Sequence, residues 1–347
     1  MKSWRGDARR GPVGEMGGPI ASGAGVQSGG SAENAGGHRP DDGTQADLGA
    51  HGRRGGSSGT PTVGIVGAGP VGTALGVAIA RAGWPVTAVS SRDVGRREAF
   101  VGLVPGARPF VEPEAILDEV ELAILAVPDD AIPAVVESMR LYSGQTLVHT
   151  SGLLGSEVLQ PALAAGSHIG AFHPLVSFTA EVERSVEDLR GATIAIEGDD
   201  RIMGLLADLA EAIGGVAVRL PQGTKPAYHA AAVLASGGLV ALLDAIVTLG
   251  AVAGLDERGS LAVYGRLIEQ TLANARAVGV GAALTGPITR GDAGTLQTHL
   301  QVLERLAPGV VELYLAGARR ELRIAEERRA LSPEQFERVR AALAKVV

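Results

Sequence analysis

Apolar and polar positions along this chain follow two rhythms. From Thr62 onward, short apolar runs of strand length alternate with stretches whose apolar residues recur every three or four positions. The runs predict strands at Thr62–Gly67, Pro85–Ser90, Arg108–Val111, Glu121–Val127 and Gln145–His149, and two further strand-like runs at His168–Phe172 and Ala192–Glu197. Helices are expected at Pro70–Ala82 and Asp93–Leu103, with another starting near Asp129. The run ELAILAV is almost wholly apolar, as a parallel strand covered on both faces should be. After about Leu220 the strand rhythm stops. Helical patterns then cover Pro226–Gly254, Asp256–Val278, Asp292–Leu306, Gly309–Arg328 and Pro333–Val347. The first of these is apolar on every side, so it is expected to be buried, in part within a dimer.

The expected class is α/β, a doubly wound sheet followed by an all-helical C-terminal domain. Three segments follow: a Gly-rich tail at 1–60, a nucleotide-binding domain at 61–219 and a helical substrate or dimerisation domain at 220–347. The tail is rich in Gly, Ser, Asp and Arg and has no apolar period, so it is expected to be disordered. Arg9 and Arg10 precede no apolar segment, which gives no support to a secretion signal. His38 and His51 are expected to be solvated.

The stretch VGIVGAGPVGTALG, Val63 to Gly76, joins the first strand to the first helix through GxGxxG. Gly67 allows the tight turn, Gly69 lets the backbone approach a diphosphate, and Gly72 lets helix and strand pack closely. With Ala68, Pro70 and Val71 they would set phosphates over the positive end of a helix. This is the Rossmann dinucleotide signature, and its context of strand before and helix after makes it credible. The second strand ends in Ser90, Ser91 and Arg92, with no acid at the strand end to hold ribose hydroxyls. A serine pair and an arginine suit a 2′-phosphate, so NADP is preferred to NAD. Val127 and Pro128, in AVPDDAI, are expected to wall the nicotinamide, while Asp129 is expected to cap the following helix.

Composition narrows the partners. The formal charge is −7 and no dense cationic stripe follows residue 60, which argues against nucleic acid. There are no cysteines, so disulfides, thiolate metal sites and Cys nucleophiles are excluded, and a cytoplasmic location is expected. No uninterrupted apolar run approaches the roughly 20 residues of a membrane helix. The most apolar region is interrupted by Ser236, Gly237, Gly238 and Asp244, so no membrane partner is expected. No His, Asp and Glu cluster has metal-ligand spacing, and no GxSxG elbow is present.

Polar residues in apolar surroundings fall in three segments: HTSGLLG from His149, AFHPLVSF from Ala171 and GTKPAYHAAA from Gly223. A lysine in an apolar cleft at a helix start loses hydration and meets a positive dipole, which lowers its pKa toward the range of a general acid. Lys225 is therefore the candidate proton donor to an alkoxide formed by hydride transfer, against the reading of a surface lysine before a helix. Pro226 biases Lys225 away from helical geometry, so the helix is expected to begin at Pro226. His229 would share the helical face of Lys225. His173 is a candidate partner of a substrate oxygen or a structural histidine. His149, Thr150, Ser151 and Gly152 could hold a substrate carboxylate or simply form a bonded loop. Arg290 could clamp a carboxylate bidentately or pair with Asp292.

The fingerprint together with LAVPDDAI, HTSG, FHPL, KPAYHAAAVLAS and LTGPITRGD resembles a family of Rossmann-type NADP oxidoreductases whose C-terminal half is a domain of unknown function. That half is similar to the helical domains of 6-phosphogluconate dehydrogenase, ketopantoate reductase and pyrroline-5-carboxylate reductase. The resemblance runs from Thr62 to Lys345. It implies reduction of a small carbonyl acid by NADPH, with ketopantoate-like 2-oxoacids leading. A pyrroline-carboxylate type of imine reductase and a non-catalytic NADP sensor are the alternatives. The wider β-hydroxyacid dehydrogenase group carries a KxxxN pair whose Lys is the general acid/base. The matching positions here are Lys225 and His229, so His replaces Asn, and Gly237 stands where the family often has another Asn.

Overall fold

Strand β1, Val63–Val66, is buried along its whole length and has a parallel strand on each side. The computed structural model describes residues 59–344, so the expectations for the tail, for Arg9, Arg10, His38 and His51, and for the last three residues of the final helix lie outside the described residues. The other strands are β2 Val86–Ser90, β3 Arg108–Phe110, β4 Leu122–Leu125, β5 Thr146–His149, β6 His168–Pro174, β7 Thr193–Gly198 and β8 Val216–Arg219. Their order is β3-β2-β1-β4-β5-β6-β7-β8. The first six strands are mutually parallel, β7 runs antiparallel to β6, and β8 is parallel to β7. The sheet is thus the doubly wound Rossmann arrangement with a two-strand extension. Its two faces carry separate cores, one around Leu75, Phe100, Phe172 and Leu206, the other around Ile116, Ile132, Leu147 and Leu159.

The predicted strands and long helices are present with ends shifted by a few residues. Asp93, Asp256 and Asp292 each cap a helix by accepting a backbone N–H. Several elements escape the sequence reading: the short helices Glu114–Leu117, Gln160–Ala164, Val182–Asp188 and Val280–Ala283, the helix Asp200–Ala212 and strand β8. The helix Asp200–Ala212 buries Ile202, Met203, Leu206, Leu209 and Ala210 on one face against the extended sheet. Strand β8 is a four-residue edge strand whose Val216 and Val218 remain exposed, so it lacks the apolar run that marks a covered strand.

The helical half corrects two expectations. The helix Lys225–Val252 runs unbroken through a π-turn at Leu234–Gly238, so Ser236, Gly237 and Gly238 do not interrupt it. It is not buried within the chain: Leu234 is 73% and Val240 65% exposed. Its apolar residues outnumber what one chain can cover. It packs closely on the next helix, Glu257–Val278, where a Cβ on Gly250 would lie 2.0 Å from Ser260 Oγ. Among the described residues this is the one helix long and apolar enough to cross a membrane, with a mean hydropathy of 2.1 over its best 18-residue window. The helices Ala293–Leu306, Val311–Glu327 and Pro333–Ala344 close a third core around Leu296, Leu300, Leu315, Leu322 and Val339.

Candidate functional site

The strand order reverses between β1 and β4, which opens a crevice beyond their carboxyl ends. Gly67 occupies that position with φ +106°, and a Cβ there would lie 2.3 Å from the Ala126 carbonyl oxygen. A Cβ on Gly72 would lie 2.0 Å from the Gly67 carbonyl oxygen. Both glycines are therefore demanded by the fold. Gly69 is different: its backbone is extended and nothing lies within 4 Å of where a Cβ would be. Its missing side chain leaves room for a ligand. Gly69 is also the N-cap of Pro70–Arg81, with no side-chain cap and no acid in the first turn. The Thr73 N–H reaches Gly69 O at 2.8 Å, while the amides of Val71 and Gly72 have no acceptor inside the helix. Free amides, the helix dipole and open space fit a diphosphate.

Ser90 is buried at the end of β2, and its carbonyl accepts the Gly67 N–H at 2.8 Å. Ser91 is half-buried and Arg92 exposed. The Asp93 carboxylate is occupied as a cap, accepting the Arg96 N–H at 3.0 Å. Arg97, half-buried, donates to the Ser91 carbonyl, so it stands beside the serine pair although the sequence reading passed over it. Val127 is half-buried, with Cγ1 3.1 Å from the place of a Gly67 Cβ, and Pro128 is exposed.

The loop after β5 organises the second part of the site. His149 is fully buried; its Nδ1 accepts the Ser151 N–H at 3.2 Å, so its Nε2 carries the proton that faces Gly155 O at 3.1 Å. Burial and then the neighbouring Lys225 push its pKa down to about 3. Thr150 donates N–H and hydroxyl to Leu125 O. The Ser151 hydroxyl donates to Asp129 Oδ2 at 2.8 Å and accepts the amides of Leu153 and Leu154 at 3.1 and 2.9 Å. The side-chain donors expected to hold a carboxylate are thus spent inside the loop. Asp129 caps no helix; it lies in a 3-10 turn, Asp129–Ala131, and binds Ser151 instead. This corrects the capping expectation, because the helix starts one turn later, at Ile132.

Lys225 is the first residue of its helix rather than the one before it, with Pro226 next. Its side chain is 1% exposed and Nζ donates to the Ser151 carbonyl. Burial pushes its pKa down to about 8, against the pull of the Glu197, Asp129 and Glu157 carboxylates. Gly152 is buried beneath two rings: a Cβ there would lie 2.5 Å from His229 Nδ1 and 2.8 Å from His173 Nε2. The His173 and His229 rings meet edge to face at 6.1 Å, and His173 Nδ1 lies 3.1 Å from the Tyr228 hydroxyl. His173 is pushed down to about 4, first by burial, then by Lys225 and His229. His229 Nδ1 is buried and has no partner among the described residues.

The structure therefore brings Ser151, Gly152, His173, Lys225 and His229 together, with His149 bracing them and Asp129 and Tyr228 added. Asp129 links this cluster to the nucleotide turn, because it follows the Ala126–Pro128 segment that closes on Gly67. Arg290 is elsewhere, the exposed last residue of a 3-10 turn of the helical half, Ile288–Arg290, where its carbonyl accepts Gln335 Nε2 at 3.2 Å. Asp292 spends its carboxylate on Thr295, not on Arg290. Among the described residues no three His, Asp or Glu side chains are placed to hold a metal ion.

Comparison with known proteins bears on the whole of this arrangement. Residues 56–174 match the family model of a Rossmann-like domain, which ends with β6. Residues 192–321 match a domain of unknown function, DUF2520, which takes in the two added strands and most of the helices. No curated protein matches the sequence. Among solved structures, protein TM1727 from Thermotoga maritima is 27% identical with a TM-score of 0.59, over 77% of this chain and 100% of that one. BF3122 from Bacteroides fragilis, a candidate NADP oxidoreductase, is 22% identical with a TM-score of 0.60, over 75% and 97%. The reductive aminase from Aspergillus terreus in complex with NADPH and ethyl levulinate shares the fold at 19% identity and a TM-score of 0.57, over 81% and 99%. The chain is thus similar, in order, to a Rossmann-like domain and to a DUF2520 domain.

Proposed function

We propose that this protein is an NADPH-dependent reductase of a small carbonyl acid, with 2-oxoacids of the ketopantoate type as the leading substrates. The observation that carries the reading is Lys225: a buried ammonium, lowered to about 8, at the start of its helix and held on the Ser151 carbonyl of the loop after β5. When bound, the dinucleotide supplies hydride to the carbonyl carbon. Lys225 Nζ then gives a proton to the oxygen left behind, and a pKa close to the working pH suits that transfer. The Ser151 carbonyl orients Nζ, and Asp129 and His149 hold that carbonyl in place. His173, neutral at pH 7, and His229 flank the reacting group over Gly152.

The charge of the site favours a second reading. Lys225 is surrounded by the acids Glu197, Asp129 and Glu157, and the hydroxyl donors of the β5 loop are occupied. Such a setting accommodates a protonated imine better than a carboxylate, as in an imine reductase of the pyrroline-carboxylate type. NADPH oxidation measured across 2-oxoacids and cyclic imines separates the two. Turnover confined to 2-oxoacids supports the first reading, and turnover confined to imines the second. Tight NADPH binding with no turnover on either class leaves a non-catalytic sensor.

NADP is preferred to NAD because Ser90, Ser91 and Arg92 meet no free acid: Asp93 is spent as a helix cap. A charge-assisted hydrogen bond is worth about 1.5–3 kcal/mol. Arg92→Ser is therefore expected to weaken NADPH roughly tenfold to a hundredfold in a fluorescence titration and to leave NADH nearly unchanged. Equal losses for both cofactors would remove this assignment.

We further propose that the exposed apolar face of Lys225–Val252 is covered by a second copy of the chain, as a homodimer in the cytoplasm. Asp244 in the middle of that helix and the burial of Lys225 at its start speak against a membrane, where a charge within the span is costly. Sedimentation should give a dimer, and Leu234→Asp combined with Val240→Asp should give monomers. A wild-type monomer, or a chain that stays in the membrane fraction, would contradict this.

A further inference from the structure

Glu197 lies near the end of β7, opposite Ala171 of β6, which in turn faces His149 of β5. It is the one charged residue of the strand TIAIEG and is 3% exposed. Oε1 accepts the Ser156 N–H at 2.9 Å and the Ser156 hydroxyl at 3.1 Å. Oε2 is buried and has no hydrogen-bond partner among the described residues. A buried carboxylate oxygen without a partner is costly unless a positive charge lies close by. No described basic side chain forms an ion pair with it, and the ammonium it favours from further off is that of Lys225, whose Nζ rests on Ser151 O of the same loop. Of the three carboxylates that favour its ammonium, Glu197 acts most strongly, ahead of Asp129 and Glu157.

We propose that Glu197 is a positioning residue of this site: it keeps the Lys225 nitrogen loaded with its proton and pins the Ser156 end of the loop on which that nitrogen rests. The functional meaning rests on the reading of Lys225 as proton donor. Two forces act on the same ammonium. Burial disfavours its proton, and the buried acid at the Ser156 end of the loop favours it. Asp129 comes from the β4 end and Glu157 from the loop after β5; the rings that feel the charge of Lys225 are His149 and His173, and Tyr228 and His229 lie beside His173. Beyond Glu197, Asp200 is neutralised by Arg219 and Asp199 faces His168 at 3.5 Å. Glu197 is thus the carboxylate of this set that is both buried and half unpartnered.

The sequence makes a direct test possible, because it holds three lysines, Lys2, Lys225 and Lys345. Lysine labelled with 13C at Cε in the full chain gives three signals, and the one lost in Lys225→Met belongs to Lys225. Its titration midpoint is expected near pH 8 in the wild type. Glu197→Gln keeps the shape and an acceptor for Ser156 but removes the charge, and should lower the midpoint by about one pH unit or more. Glu197→Met should do the same and serves if the amide disturbs the fold. Ser156→Ala removes one hydrogen bond and no charge, and should leave the midpoint in place. An unmoved midpoint in folded Glu197 variants, or an equal shift in Ser156→Ala, would overturn the proposal. The readout needs no substrate. Failure of every substrate in the NADPH assay would therefore count against the reductase reading alone, whereas an unmoved midpoint beside normal turnover would count against Glu197 alone.

Discussion

Replacing Lys225 by alanine is expected to cut turnover by about 10²–10⁴ and to leave NADPH affinity within about twofold. The reasoning starts from where its nitrogen is. Nζ is held on the Ser151 carbonyl, away from the Gly67–Gly72 turn that would carry the phosphates, so the loss should fall on the chemical step. Lys225→Met, which keeps most of the volume, should show the same loss and so separate missing proton from missing packing. The pH dependence carries the same sign. A general acid must arrive protonated, so carbonyl reduction by the wild type should fall as pH rises through about 8, where the ammonium gives up its proton. Near-normal turnover in Lys225→Met, or a rate that climbs through pH 8, would refute the role. If imines are the substrates, the loss should be smaller, because a protonated imine can take hydride without an acid.

The second large effect concerns Gly69. Most glycines of a tight turn cannot be tested cleanly, because their replacement also damages the fold. Gly72→Ala would drive a methyl to 2.0 Å from the Gly67 carbonyl, and Gly67→Ala adds a strained φ to a 2.3 Å clash. Gly69 avoids both problems: φ −80° and ψ −177° suit any residue, and nothing lies within 4 Å of its Cβ position. Gly69→Val should therefore melt within a few degrees of the wild type. It should nonetheless lose roughly tenfold to a hundredfold or more in NADPH affinity, the equivalent of at least one charge-assisted hydrogen bond. Calorimetric titration checks the affinity and a thermal melt checks the fold. An unchanged affinity would mean that phosphates do not lie over this turn.

Much of the architecture was legible because it is local. Val63–Val66 and Leu122–Leu125 are apolar on both faces, and the glycines between strand and helix mark a turn whose geometry only they allow. The helix Asp200–Ala212 carried the same kind of signal in Ile202, Met203, Leu206 and Leu209, but was passed over. Strand β8 carried almost none. The Lys225 helix misled for a physical reason: an apolar surface says that something covers it, not whether the cover belongs to the same chain. In the site, Lys225, His173 and His229 stood out as polar residues in apolar segments. Asp129 and Glu197 did not, because an acid at a helix start looks like a cap and an acid near a strand end looks like an edge. Their roles arise only when β4, the loop after β5, and β7 meet. The one clue to Glu197 was its place on the same face as Ala195 in a strand otherwise buried.

The central claim is that the Gly67–Gly72 turn presents a reduced nicotinamide to Lys225. Crystals grown or soaked with NADPH test it most directly. The account predicts the diphosphate over Gly69 and the amides of Val71 and Gly72, the 2′-phosphate beside Ser91 and Arg92, and the nicotinamide face open toward Lys225 Nζ. An empty turn, or a nicotinamide pointing away from the Ser151–Lys225 pair, would contradict it.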